Sequence, residues 1–502
     1  MTTIDRPKAP SGARLAIDLA PEKVRELMEA TTEHVLAFQR RLADRELPAS
    51  YVSDSLNAGE YEQGRQVAAS LREDALPSGE TDFRVLLDQL FDEAMTNGTL
   101  HPHPGFMAHV PSGGLIQGAV GDFVAHAVNR FAGMWIAAPG YQRIETNVIR
   151  WYCSMLGYGE GSFGYLTTGG SLANFMSVRC ALTAHENRGT ARPTVYVSSQ
   201  GHYSVLKAAT MAGIPAAQVR VIGTGSDYRM DLDELRSTIA EDRAAGFHPI
   251  CVVGTAGTTN SGAIDDLATI AEIARAEDIW FHADACFGGF FRITERGRAA
   301  LRGIADADSI AVDAHKSLFM PHGSSALLVK DRKRLNAAFE IPGAAYLPGF
   351  VDEPELADFA SYGPELSREI RGITAWLPLK MHGVEAFEHA LDEKLDLAAY
   401  LADRLTDIAG IEVVQEHPMH LPVVTFKLAA EHTGGDPHGS DAVLCERICS
   451  RGNVYVTTTE LPRHGIVVRV CILHHQTNLA MVDQLIEDIE WAVDTLRHSE
   501  EG

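Results

Sequence analysis

The stretch SIAVDAHKSLFMPHGSSALLVK, residues 309–330, holds two short apolar runs separated by a Pro-His-Gly-Ser-Ser turn. Such runs, bounded by Pro and Gly, read as buried strands. Lys316 stands just past the first of them, directly after His315 and three residues after Asp313. Lysine is seldom buried without a partner. A lysine at the end of a buried strand therefore asks for a chemical reason.

Working outward, the next apolar run upstream is IWFHADA, residues 279–285. It ends on Asp284, 32 residues before Lys316, which is about one crossover unit. Further strand candidates are FGYLTTG, PTVYVSS, QVRVIG and PICVVGTAG, and helical stretches such as SLANFMSVRCALTAHEN and LATIAEIARAED lie between most of them. This alternation predicts an α/β domain with a mostly parallel sheet. On either side the texture changes. Residues 1–98 read as amphipathic helices, residues 99–376 as the large α/β domain, and residues 377–502 as a smaller α+β domain with the strands HLPVVTFKL and GIVVRVCIL.

Composition narrows the function. With 67 acidic against 43 basic residues the net charge is −24, a poor match for nucleic acid or an anionic membrane surface. The seven cysteines are scattered without a C-x-x-C pair, which speaks against a disulfide framework or a structural zinc site. No apolar run is long enough to span a bilayer, and the first residues, MTTIDRPKAPSG, lack the pattern of a signal peptide, so a cytoplasmic location is expected. HPHPGFMAH, residues 101–109, carries three histidines but no acidic or cysteine ligand to complete a metal site, and a pocket wall is the preferred reading.

In open α/β sheets, sites gather at the carboxyl ends of strands. TTGGSLANF passes from strand through Gly170-Ser171 into a helix, a place where backbone N–H groups suit a phosphate. GTAGTTNSGAIDD is a second Gly/Thr loop after a strand. Neither contains the GK[ST] of a P-loop. The literal G-x-G-x-x-G at 159–164 precedes a strand rather than following one, the wrong order for a dinucleotide fingerprint. A lysine, a carboxylate and a phosphate cradle together suggest pyridoxal 5′-phosphate. The lysine would hold the aldehyde, and the carboxylate would face the ring nitrogen. His202, in SSQGHYS, is placed to stack on the ring.

TTGGSLAN, SQGHYS, GTTNSGAIDD, HADACFGG and DAHKS, in this order along the chain, resemble the group II pyridoxal-phosphate amino-acid decarboxylases, which include aromatic amino-acid, glutamate, diaminobutyrate and valine decarboxylases. The resemblance runs from about His103 to the C-terminus. It implies the fold type I, aspartate aminotransferase-like architecture. It implies a homodimer with the active site at the subunit interface and dimer contacts from residues 1–98. By the same resemblance, Lys316 carries the cofactor, Asp284 binds the pyridine nitrogen, His202 stacks on the ring and Thr259 lies near the ring hydroxyl. Gly170, Ser171 and His315 hold the phosphate, and Arg469 binds the substrate carboxylate. Cys286 stands beneath the ring where the family often has alanine. Asp313 stands where it often has asparagine.

Tyr346 matches a loop tyrosine that protonates the substrate α-carbon in the partner subunit's site. Tyrosine there favours an amine product over an aldehyde. His109 and Ser112 fall on one wall of the side-chain pocket, and Phe131 and Trp135 on a wall borrowed from the other subunit. The walls, which also include Phe106, Val110 and Met134, contain no lysine or arginine. An apolar substrate side chain, branched-chain or aromatic, is therefore expected over glutamate. Decarboxylation of diaminobutyrate or of an acidic amino acid, aldehyde-forming oxidative deamination and carbon–carbon cleavage on the same scaffold stay open as alternatives.

Overall fold

The computed structural model describes residues 17–52, 58–73, 75–95, 97–110, 112–186, 192–340, 352–353, 356–414, 418–430 and 437–500. They divide into two compact units, one of residues 1–47 and 56–99 and one of residues 48–55 and 100–502.

The first unit is helical. Pro21 occupies the first turn of the helix Pro21–Ala43, where its missing N–H costs no bond. Asp82 caps the helix Phe83–Asp88 by accepting from the Arg84 N–H, and the chain continues as a π-helical turn, Gln89–Ala94. The expected helix is thus present, with a wider last turn. His34 Nε2 meets Asp88 Oδ1 at 3.0 Å across the unit.

The second unit contains the large sheet. Its strands are β1 (Phe163–Thr167), β2 (Pro193–Ser198), β3 (Val219–Ile222), β4 (His248–Thr255), β5 (Trp280–Asp284), β6 (Ser309–Asp313) and β7 (Ser325–Val329). They lie side by side in the order β1-β7-β6-β5-β4-β2-β3. β7 is antiparallel to both β1 and β6, and every other neighbour is parallel. Helices cover the sheet, so β1, β5, β6 and β7 are buried at every residue, as strands covered on both faces must be. The carboxyl ends of β4, β5 and β6 lie adjacent, with Thr255 in register with Asp284. Asp313, the last residue of β6, faces Ser325 of β7.

A two-residue ribbon, β8 (Asp352–Glu353) with β9 (Leu356–Ala357), precedes a second sheet. That sheet is antiparallel, in the order β10 (Ile411–Val413), β11 (Val423–Leu428), β13 (Gly465–Cys471), β12 (Thr457–Leu461). Val424, Val468, Val470, Leu444 and Leu485 form its core with the helices Pro437–Ser450 and Leu479–Glu500. Successive residues of a strand face opposite ways. Val468 and Val470 enter this core, and Arg469 between them faces away from it.

Candidate active site

A cavity of about 340 Å³ opens at the carboxyl ends of β4, β5 and β6, a size suited to a small ligand. Lys316, Asp284, His202, Thr259, Gly170, Ser171, Cys286 and His315, all singled out from the sequence, line it together.

Lys316 lies on a single helical turn, Ala314–Ser317, that directly follows β6. Its Nζ is 2.9 Å from Asp313 Oδ2. Asp313 is 2% exposed, and its other oxygen accepts a 2.6 Å hydrogen bond from Ser325 Oγ. Burial alone would discharge both groups. The pairing overrules it, raising the Lys316 ammonium well above its ordinary range and lowering the Asp313 carboxyl. His315 turns Nδ1 to the Ser324 carbonyl at 3.1 Å, and burial lowers its basicity against the pull of Asp313.

The phosphate-type corner is set by Gly170. A Cβ there would sit 2.4 Å from Cys286 Sγ and 3.1 Å from Asp313 Oδ1, so only glycine lets the helix Gly170–His185 start this close to β5 and β6. No side chain caps that helix, and its first residues, Gly170 and Ser171, line the cavity. Burial pushes the Cys286 thiol well up, so it stays neutral.

Asp284 ends β5, 5% exposed. Its Oδ2 accepts from Asn174 Nδ2 at 3.1 Å, and its Oδ1 from the Cys286 N–H at 3.3 Å. Asn174 Nδ2 also donates to Ser204 Oγ at 2.9 Å, while Asn174 Oδ1 meets His282 Nε2 at 2.9 Å. A carboxylate only accepts, so Asn174 must turn its NH₂ to Asp284 and its oxygen to His282. His282 then carries its proton on Nε2. Burial, acting against the Asp284 charge, pushes its pKa down to about 4, so the ring is neutral and Nδ1 accepts from Ser309 Oγ at 2.9 Å. Ser309 Oγ in turn accepts from the Trp280 indole at 2.8 Å. At the other end, Ser204 Oγ lies 2.7 Å from His202 Nδ1, which the Ser204 backbone N–H also approaches at 3.3 Å. His202 therefore holds its proton on Nε2. Burial lowers its pKa, the Lys316 charge adds to this, and Asp284 opposes it.

Asn174, Ser204 and His282 were not singled out from the sequence. One signal was present: His282 is two residues before Asp284 on a strand, and so shares its face.

Arg469 does not line this cavity but touches its rim. It is 3% exposed; its Nε donates to the Thr259 carbonyl at 2.6 Å and its Nη1 to the His109 carbonyl at 2.6 Å. His109 adopts a left-handed backbone (φ 53°) that presents this carbonyl. Arg469 Nη2 has no oxygen or nitrogen partner among the described residues, and the Cys471 thiol stands beside the side chain. Ser112 is buried, with its Oγ 3.5 Å from the Met320 carbonyl. His109, Ser112, Phe131 and Trp135 are not brought to the Lys316 cavity within one chain. Phe131 is 36% exposed, and the Trp135 backbone N–H donates to Asp358 Oδ1 at 2.6 Å. Phe106 and Met134, expected on the pocket walls, are buried and do not line the Lys316 cavity within one chain, Phe106 packing against His101 and Tyr455. Tyr346 lies outside the described residues. Among the described residues no cluster of metal-ligating side chains occurs, and no helix is long and apolar enough to cross a membrane.

A lysine amine, an uncapped helix start beside a required glycine, and a buried, hydrogen-bonded carboxylate fit an aldehyde cofactor that bears a phosphate and a basic ring nitrogen. Residues 67–429 match the pyridoxal-dependent decarboxylase conserved domain. The chain belongs to this family. Over 481 residues it is 31% identical to an aromatic-L-amino-acid decarboxylase of Bacillus atrophaeus, covering 94% of this chain and 96% of that one. It is 29% identical to an L-2,4-diaminobutyrate decarboxylase of Acinetobacter baumannii, over 62% of this chain and 65% of the other. The crystal structure of Oryza sativa TDC with PLP and tryptamine shares the fold, with a TM-score of 0.86 at 24% identity over 95% of this chain and 99% of that one. As a pyridoxal-dependent decarboxylase, this carboxy-lyase uses pyridoxal 5′-phosphate to remove CO₂ from an amino acid.

Proposed function

We propose that the chain decarboxylates L-amino acids with apolar side chains, aromatic ones foremost, to the corresponding amines. The observation that carries this is the cavity's charge inventory. Among its described lining residues there is no arginine, and the lysine present is Lys316. A carboxylate on the substrate side chain would lack a basic partner, and burying it unpaired is costly. The name of the Bacillus atrophaeus relative supports the aromatic choice over a branched-chain substrate such as valine.

When bound, the cofactor supplies an electron sink for the pair released as CO₂ leaves. Lys316 would hold it and would serve to free the amine. Gly170, Ser171 and His315 would take the phosphate, Thr259 would lie near the ring hydroxyl and Cys286 beneath the ring, and Asp284 would keep the ring nitrogen protonated. Asn174 orients Asp284 for that task. His202, a neutral imidazole with its proton on Nε2, would stack on the ring. Arg469, the buried cation at the rim, binds the substrate carboxylate and helps to fix the direction of the breaking bond. Tyr346 returns a proton to the α-carbon, giving the amine rather than the aldehyde.

We place this chemistry in a cytoplasmic homodimer with its sites at the subunit interface. Ile116, Val120 and Phe123 lie along one face of the helix Ile116–Val128 and are each about half exposed, as are Ile136 and Phe131 to differing degrees. Such a stripe suits a second copy, which would bring Phe131 and Trp135 to a site.

The test is incubation with cofactor and a panel of L-amino acids, with amines, aldehydes and CO₂ identified. Amines from aromatic substrates are expected, and none from Lys316→Ala. Preference for glutamate or diaminobutyrate would overturn the substrate assignment, and aldehyde as the main product would remove Tyr346 from its role.

A further inference from the structure

The corner around Lys316 contains a carboxylate that the proposed chemistry does not use. Asp313 is buried, fixed by Ser325 Oγ at 2.6 Å, and bonded to Lys316 Nζ at 2.9 Å. Lysine can attack an aldehyde only as the neutral amine. We propose that Asp313 is a latch on cofactor capture: it holds Lys316 as an ammonium in the cofactor-free chain and takes up the proton that must leave before Lys316 can bond to an aldehyde. This rests on the reading of Lys316 as the lysine that carries the cofactor.

The step balances. Lys316 passes one proton to Asp313 Oδ2 and forms the carbon–nitrogen double bond with the freed lone pair. Its two remaining amine protons go to the aldehyde oxygen, which leaves as water. Asp313 then returns its proton to the new nitrogen or to solvent.

Other groups around Lys316 do not take this part. His315, on the same turn, bonds the Ser324 carbonyl. His322 faces His315, with ring centroids 5.4 Å apart. Asp284, at the end of β5, is engaged by Asn174 and by the Cys286 N–H. The thiols of Cys286 and of Cys471 on β13 are held neutral by burial. His202, after β2, is held below its ordinary basicity by burial. Among the described residues, Asp313 alone combines an anionic oxygen at hydrogen-bond distance from Nζ with an anchor that keeps it there.

The experiment follows capture by the full chain stripped of cofactor. The growth of the yellow absorbance is timed across a range of pH with pyridoxal 5′-phosphate and, separately, with pyridoxal, which has no phosphate. Borohydride reduction and peptide mapping locate the attachment. For Asp313→Asn the pH of half-maximal capture rate should fall by about one unit or more, making capture about tenfold faster at neutral pH, with both aldehydes alike. An unchanged profile, or slower capture, overturns the latch. Acceleration with the phosphorylated aldehyde alone also overturns it, because Asp313 would then act on the phosphate. Attachment elsewhere than Lys316 overturns the underlying reading instead. If Asp313→Asn does not fold, competitive acetylation of the cofactor-free wild-type chain decides. Lys316 should titrate above the exposed Lys207 and Lys333, and titration at or below them refutes the proposal.

Discussion

Arg368 and Arg469 are buried to nearly the same degree, at 4% and 3% exposure, yet their surroundings differ in kind. Arg368 bonds Glu145 at 2.6 Å and lies over the rings of Tyr165 and Phe359, each 4.8 Å from its guanidinium carbon. Glu145 also accepts from the backbone N–H groups of Arg371 and Gly372 at 3.3 Å. Arg469 has backbone carbonyls and a thiol around it, and no carboxylate within ion-pair distance among the described residues. Burial accordingly presses its basicity down. A buried charge with its counter-ion in place belongs to the fold. A buried charge without one is costly to fold around, which is the ground for proposing Arg469 as the partner of the substrate carboxylate.

The contrast can be broken first at Arg368. Glu145→Ala leaves its charge unpaired and should cost about 3–5 kcal/mol, read as a lower denaturation midpoint. If that variant unfolds like the wild type, Arg368 is not held by its counter-ion. Arg469→Met should do the reverse. It removes an uncompensated charge, so the midpoint should hold or rise, while kcat/KM falls about 100-fold through the loss of roughly 3 kcal/mol of charged hydrogen bonding to substrate. A stability loss matching that of Glu145→Ala would make the two arginines equivalent.

His282 sharpens the comparison from the other side, as a buried base kept neutral. Its folded-state pKa, about 4, lies below the unfolded value, so the unfolded chain takes up the proton first as pH falls. The stability at stake is full above pH 6.5 and declines toward pH 4. Between about pH 6 and 4.5 it amounts to about 2 kcal/mol. His282→Gln should flatten that part of the pH dependence of the denaturation midpoint, and an unaltered slope would contradict a neutral His282.

The large sheet could be read from the sequence because each of its strands is a short apolar run ending in turn residues. IWFHADA and SIAVDAHK also placed Asp284 and Lys316 on neighbouring strand ends, where the structure has them. β10 and β12 were missed for different reasons. Ile411–Val413 is too short to show a period, and Thr457–Leu461 is a polar strand, TTTEL, at the edge of its sheet. The pocket walls were the least legible part, because an apolar residue such as Phe106 or Met134 looks the same in sequence whether it faces a ligand or the core. The partnership of Arg368 with Glu145 joins residues 223 apart, and nothing local marks either as half of a pair.

The chain of bonds from Trp280 through Ser309, His282, Asn174 and Ser204 to His202 runs in one sense. The indole can only donate, the Asp284 carboxylate can only accept, and each group between them has a single orientation that satisfies both neighbours. No member can turn over by itself, since a flipped amide or a swapped tautomer would set two donors or two acceptors face to face. The six side chains thus behave as one polarised unit. Their substitution energies should not add, and a second lesion in the chain should cost less than the first.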